Sequence, residues 1–375
     1  MSFEIDYKKY FSENMVPTLT TKLIGHYSID GDSQYHADLS QMKYYIPPED
    51  LNNVSFDLNK NFMSTRYKPT SHVKLDNLLR WIADNFNLLE KPLSTQEGQW
   101  LDTDFICRRG VLKTLLCTPY KKLDKWIICA SKYRGTIYLC EFYTTEKEQQ
   151  HVNATVEDKQ IELCGYKLEQ YLVADHPSHK PDPSVLNECE KFHCIFQAKF
   201  GDHSLLYTAE IDGIVSQQPI TDTLIGKTFE LIEMKSISTR VYNVIGTPEY
   251  NKYGTFNSRK LVDWWSPNYL SGTERLICGL KNMDGKVTMI KEYPTHTLPL
   301  LSNPCCNIDK CKMFCKMFLD NVKKIVIKDY NESMYKFYFD GSRFITYSEI
   351  APNDEMYSFL KPWFVDEAEN YNTFQ

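Results

Sequence analysis

Two short segments of this 375-residue chain carry residue types and spacings suited to phosphoryl chemistry. In Ala209-Glu210-Ile211-Asp212 the two carboxylates lie two residues apart inside an apolar run. On a strand, residues two apart share a face, so Glu210 and Asp212 would stand side by side. In Glu233-Met234-Lys235 the same spacing puts a carboxylate and an ammonium on one face. Adjacent strands lie ~4.8 Å apart, so all four groups could converge on one or two metal ions, two being the expectation. Clustered carboxylates repel unless cations hold them, and hard oxygen donors select Mg²⁺ or Mn²⁺. Metal-activated water beside a lysine that steadies phosphate charge suits phosphodiester hydrolysis. Each pattern taken alone is also common on a solvated strand face.

These residues need elements to position them. Phe192–Phe200, Leu205–Val215 and Lys227–Ser236 read as strands, which places both acidic segments on neighbouring apolar strands. Ile161–Ala174 and Gly110–Cys117 read as helices, as do Ser258–Leu270 and Asp309–Lys323. From His72 to Leu89, the residues Leu75, Leu78, Leu79, Trp81, Ile82 and Phe86 fall at helical spacing. Hairpins are expected around Arg134-Gly135 and Asp340-Gly341. Residues 1–70, rich in Tyr, Asp, Asn and Pro with little periodicity, are expected to be irregular and to wrap the surface. Helices and strands alternate with no repeat or linker between them. The expectation is one α/β domain over 1–375, a large mixed sheet flanked by helices, with its catalytic core at 160–295.

Composition narrows the class. Hydrophobic residues make up 42% and charged residues 25% of the chain, enough to build a core, which excludes wholesale disorder. The net charge of −6 argues against non-specific coating of nucleic acid, so any such contact must be local. No apolar run approaches the ~18 residues of a membrane span, and no secretory signal is visible. Twelve cysteines in such a chain read as reduced thiols of the cytoplasm or nucleus. Cys305, Cys306, Cys311 and Cys315 crowd together, but only Cys311 and Cys315 approach zinc-knuckle spacing. At i and i+4 on a helix those two read as packing. No Gly-rich phosphate loop is present.

Several motifs in order resemble the DXO/Rai family of RNA 5′-end decapping nucleases. They are Arg109-Gly110 with Lys113 and Leu115-Leu116; Gly165-Tyr166-Lys167-Leu168-Glu169-Gln170-Tyr171; Ala174-Asp175; Pro181-Asp182-Pro183; Glu210-Ile211-Asp212; Glu233-Met234-Lys235; Trp264-Trp265; and Trp363-Phe364-Val365. The resemblance implies a core similar to PD-(D/E)xK nucleases, with an acidic pocket between sheets. It implies that Glu169, Glu210, Asp212 and Glu233, with the Met234 carbonyl, are metal ligands. Lys235 would sit by the scissile phosphate and act with Glu233 and Asp212 in catalysis. Arg109 and Glu169 would line the RNA pocket. The implied activity is metal-dependent decapping and 5′→3′ exoribonuclease action on incompletely capped, triphosphorylated or NAD-capped RNA, a form of RNA quality control. The implied partners are RNA 5′ ends and a larger 5′→3′ exoribonuclease, with the chain itself a monomer.

Two positions depart from the family pattern: Leu168, often Phe in the family, which reads as packing, and one that bears on chemistry. After the tryptophan pair the family places a glutamine that helps hold the substrate phosphate or the water, and that position here is Pro267. Proline offers no side-chain donor, and Asn268 would point ~100° away on a helix. Metal binding should survive this change. The alternative expectation is therefore a catalytically impaired paralogue that binds RNA ends or a protein partner.

Overall fold

The computed structural model describes residues 1–373 except 14, 69–73, 93–97, 240–249 and 303–305, so Cys305 and His72 lie outside the described residues. Two sheets organise the chain. One has ten strands, with Phe105–Arg108, His203–Glu210, Lys191–Phe200 and Leu19–Ile29 adjacent in that order. The other has seven, with Lys286–Pro294, Arg275–Lys281, Glu230–Ser238 and Gly213–Val215 adjacent. Both mix parallel and antiparallel pairs, as expected for a mixed α/β fold.

Helices Arg109–Cys117, Tyr250–Ser271 and Ile308–Ile325 fill the space between the sheets. The central core joins Leu112 and Leu115, Trp264 and Trp265, and Phe314 and Phe318 to inward residues of both sheets, such as Tyr207 and Leu276. A second apolar layer covers the other face of the ten-stranded sheet, built from Leu78, Leu79, Ile82 and Phe364. The helix Val156–Leu172 closes the outer face of the seven-stranded sheet through Cys164, Leu168 and Leu172. Its start is a capping box, in which Thr155 and Asp158 exchange side-chain and backbone hydrogen bonds.

Three expectations need correction. Residues 1–70 are not simply an irregular wrap, because Leu19–Ile29 is an eleven-residue strand paired along Lys191–Phe200. Its alternation of exposed and buried positions was masked by the polar residues around it. The expected His72–Leu89 helix is two pieces, Asp76–Ala83 and Phe86–Leu89; Asn85 leaves helical geometry and its side chain donates to the Trp81 carbonyl. The Leu205–Val215 strand is also two pieces, His203–Glu210 and Gly213–Val215, and they belong to different sheets.

Buried Cys311 and Cys315 pack in the core, buried Cys306 bonds through its thiol to the Ser258 carbonyl at 3.5 Å, and no group of three metal-ligating side chains is gathered anywhere among the described residues. No helix among them is long and apolar enough to cross a membrane.

Candidate active site

The break at Ile211-Asp212 makes the site. Glu210 closes its strand in the ten-stranded sheet, and the Ile211 N–H still donates to the Phe192 carbonyl at 3.0 Å. By Ile214 the chain bonds to Lys43 of the neighbouring segment, at 2.9 Å, and has entered the seven-stranded sheet. Asp212 therefore stands on the crossing rather than along a strand beside Glu210. Glu233 and Lys235 lie on Glu230–Ser238, which pairs antiparallel with Gly213–Val215. The two acidic segments do meet, but across the junction of two sheets and not on adjacent strands of one.

Arg109 arrives from outside the expected 160–295 core. The strand Phe105–Arg108 runs parallel to His203–Glu210 with Arg108 opposite Thr208, so the next residue emerges beside Glu210. From the first turn of its helix, Arg109 donates through Nη1 to Glu233 Oε2 at 3.2 Å and to Ser271 Oγ at 3.0 Å. Its Nη2 donates to the Glu210 carbonyl at 3.0 Å. Glu169 comes from the last turn of Val156–Leu172, and Asp212, Glu210, Lys191 and Lys235 all act on its charge.

Lysines hold part of the cluster. Lys235 Nζ donates to Glu233 Oε1 at 2.6 Å and to the Met234 carbonyl at 2.9 Å, with Asp212 Oδ2 at 4.0 Å. The Met234 N–H donates to Asp212 Oδ2 at 2.6 Å. Lys191 Nζ donates to Glu210 Oε1 at 2.6 Å and lies 3.8 Å from the centre of the Tyr166 ring.

The carboxylates divide by their neighbours. Burial pushes every one of them up. For Glu210 burial is outweighed by Lys191 together with His193 and Arg108, which bring the carboxyl down to about 2. For Glu233, Lys235 and Arg109 do the same. Asp212 goes the other way, to about 7, because burial and the adjacent Glu233 outweigh Lys235. Glu169 is likewise held well above the usual carboxylate range, first by burial and then by Asp212. Lys235 is held protonated, since Glu233 and Asp212 outweigh its own burial. The site thus carries more acid than its cations neutralise.

That imbalance, and a donor set made only of carboxylate and carbonyl oxygens, fits a hard divalent cation. The oxygens are not yet gathered around a common point, because Lys191 and Lys235 each hold one carboxylate.

Sequence reasoning did not find Lys191 or Ser271. Lys191 had one available signal: in the Lys191–Phe200 and His203–Glu210 hairpin, counting back from the turn at Gly201-Asp202 puts it opposite the acidic segment. Ser271 had none. Trp264 and Trp265 are buried packing, and Asn268 is buried with its Nδ2 donating to Thr295, away from the carboxylates. Pro267 sits inside the helix Tyr250–Ser271, which continues past it.

Two mixed sheets meeting at an acidic junction, with a Glu-x-Lys strand supplying the lysine, define a PD-(D/E)xK-type nuclease core. The family model described as RAI1 like PD-(D/E)XK nuclease matches residues 20–365, and the chain belongs to that family. The decapping and exoribonuclease protein of Bos taurus is 30% identical over 351 residues, covering 92% of this chain and 84% of the relative. Among solved structures, Scheffersomyces stipitis Rai1 in complex with (3′-NADP)⁺ and calcium ion superposes with a TM-score of 0.78 at 19% identity, covering 95% of this chain and 97% of its own. Candida albicans Rai1 in complex with pU5-Mn²⁺ gives 0.75 at 19% identity, covering 94% and 96%.

Proposed function

We propose that this chain is a metal-dependent RNA 5′-end decapping hydrolase and 5′→3′ exoribonuclease. Its substrates are incompletely capped, triphosphorylated or NAD-capped RNA, and its role is RNA quality control in the cytoplasm or nucleus. The carrying observation is the convergence of Glu210, Asp212, Glu233 and Lys235 at the sheet junction, with Arg109 bonded into the same cluster. Membership of a family whose relatives are named for decapping and exoribonuclease action supports the reading. So do related folds solved with a nucleotide or with pU5 and with calcium or manganese. The whole of 1–375 works as one monomeric nuclease unit, and a larger 5′→3′ exoribonuclease is the protein partner to test.

Glu169, Glu210, Asp212 and Glu233, with the Met234 carbonyl, would hold Mg²⁺ or Mn²⁺, two ions being the proposed number. Such an ion supplies Lewis acidity toward water and a phosphate oxygen. The chain's own residues do the rest. Lys235 has three N–H donors, of which Glu233 and Met234 take two, leaving one for the scissile phosphate. Its charge is secured by Glu233 and Asp212, so it can stabilise the negative charge that develops there. Glu233 orients Lys235, and the Met234 N–H holds the Asp212 carboxylate 4.0 Å from the same ammonium. Arg109 and Glu169 border the RNA 5′ end.

The test incubates RNAs bearing 5′-monophosphate, triphosphate, unmethylated cap or NAD ends with Mg²⁺ or Mn²⁺, beside an Asp212→Ala control. Cleavage that disappears in the control is the expected result and ranks the ends. Silence on all four by folded, metal-binding protein would replace this reading with that of a catalytically impaired paralogue.

A further inference from the structure

From outside the two acidic segments Arg109 bonds to both of them, and it is held in turn by a serine hydroxyl outside every recognised motif. Ser271 Oγ donates its one proton to the Pro267 carbonyl at 2.6 Å, four residues back in the same helix. With that proton committed, the oxygen can only accept toward Arg109, whose Nη1 donates to it at 3.0 Å. The same nitrogen donates to Glu233 Oε2 at 3.2 Å, and Nη2 donates to the Glu210 carbonyl at the point where the chain leaves the ten-stranded sheet. Ser271 is 3% exposed, so it does not reach substrate itself.

We infer that Ser271 is a positioning residue of the reaction: polarised by the Pro267 carbonyl, it fixes the rotamer of Arg109, and Arg109 fixes Glu233 against the end of the Glu210 strand. The geometry assigns Pro267 a part as well, through its backbone oxygen. A proline in mid-helix gives no N–H to the preceding turn, but it keeps its carbonyl, and that carbonyl sets the direction of the serine proton. Arg109 is long and flexible, and its planar fork is useful only when its contacts are fixed in advance. The inference rests on the nuclease reading above, because Glu233 matters to turnover only under that reading.

The test compares Ser271→Thr with Ser271→Val, which have nearly the same shape and differ in the hydroxyl. Threonine in a helix can place its Oγ1 on the carbonyl four residues back, so it should rebuild the chain of bonds. Expected are a kcat near wild type for Ser271→Thr and a kcat lower by roughly tenfold or more for Ser271→Val with KM changed less than twofold, one lost hydrogen bond from a charged guanidinium being worth at least that factor. Guanidinium NMR gives a readout independent of turnover. The Arg109 Nη protons should exchange slowly in wild type and Ser271→Thr, and quickly in Ser271→Val. A Val variant with wild-type kcat and a slow Arg109 signal would overturn the inference, as would Thr and Val variants that are equally impaired. If wild type cleaves no RNA while the NMR still separates Thr from Val, the failure belongs to the nuclease reading and the bonded chain stands.

Discussion

The strand His203–Glu210 has a charge cluster at each end, and the two are built on opposite terms. At its start, Asp320 accepts from His203 Nε2 at 2.6 Å, from Lys316 Nζ and from the Tyr10 hydroxyl, while Lys316 also reaches Asp202. Asp104 beside it accepts from the Ser204 backbone and from Lys323. Burial pushes the Asp320 carboxyl up, but His203, Tyr10 and Lys316 outweigh it and bring it to about 2; Asp104 is lowered in the same way. At the strand's other end Glu210 and Glu233 are matched by cations, whereas Asp212 and Glu169 are pushed up. The satisfied cluster locks the helix Ile308–Ile325 to the sheet. The unsatisfied one stores a demand for positive charge that folding alone does not meet. Of these two clusters on one strand, the one that leaves buried carboxylates pushed up is the one built for chemistry.

Mutating both ends in parallel would break or sharpen this contrast. The largest effect is expected from Glu233→Gln or Lys235→Met, which should lower turnover of a susceptible RNA by about 10³-fold, while Asp320→Asn leaves the turnover of folded protein unchanged. Single-turnover cleavage measures both; comparable losses at the two ends would erase the distinction. Next in size, Asp320→Ala should cost ~3–5 kcal/mol in urea unfolding, because His203, Tyr10 and Lys316 lose their shared acceptor at once and Lys316 keeps only the exposed Asp202. The corresponding change at the acidic end, Asp212→Ala, should cost far less or even stabilise metal-free protein.

The third effect is a difference in pH dependence within the site, in the presence of chelator. Asp212 has a carboxyl raised from 3.8 to about 7, so its contribution to stability is complete below about pH 4 and is lost as pH rises through 7. Wild type should therefore lose ~3 kcal/mol relative to Asp212→Asn between pH 4 and 8. Glu210, lowered from 4.5 to about 2, carries the opposite sign. Its stabilisation is present above pH 4.5 and disappears as pH falls toward 2, so Glu210→Gln should converge on wild type in acid. Denaturant titrations across this range would show whether the two slopes oppose each other.

The smallest effect is metal linkage. Mn²⁺ at a hundredfold excess over its Kd should stabilise wild type and Asp320→Asn alike by ~2.7 kcal/mol, and Asp212→Ala hardly at all. Equal stabilisation of all three by calorimetry would place the ion elsewhere.

The sequence by itself determined the residue types and most of the elements. The apolar runs of Lys191–Phe200 and Glu230–Ser238 are continuous enough to read as strands, and the helix beginning at Arg109 is legible from its Leu and Val spacing. The Glu-x-Asp and Glu-x-Lys spacings identified Glu210, Asp212, Glu233 and Lys235, and the family motifs added Arg109, Glu169 and Met234. What remained illegible was long-range. The Leu19–Ile29 strand hides among polar residues, and it exists because Lys191–Phe200 offers an edge to pair with. Whether Glu210 and Asp212 share a strand depends on the competition between two sheets for one chain, which no local window contains. Lys191 reaches the acid only through a hairpin register, and Ser271 reaches Arg109 across 162 residues of chain. Local sequence sets backbone periodicity and side-chain chemistry. The tertiary structure decides which charges become neighbours out of water, and that neighbourhood sets how far each carboxylate is moved from its ordinary pKa.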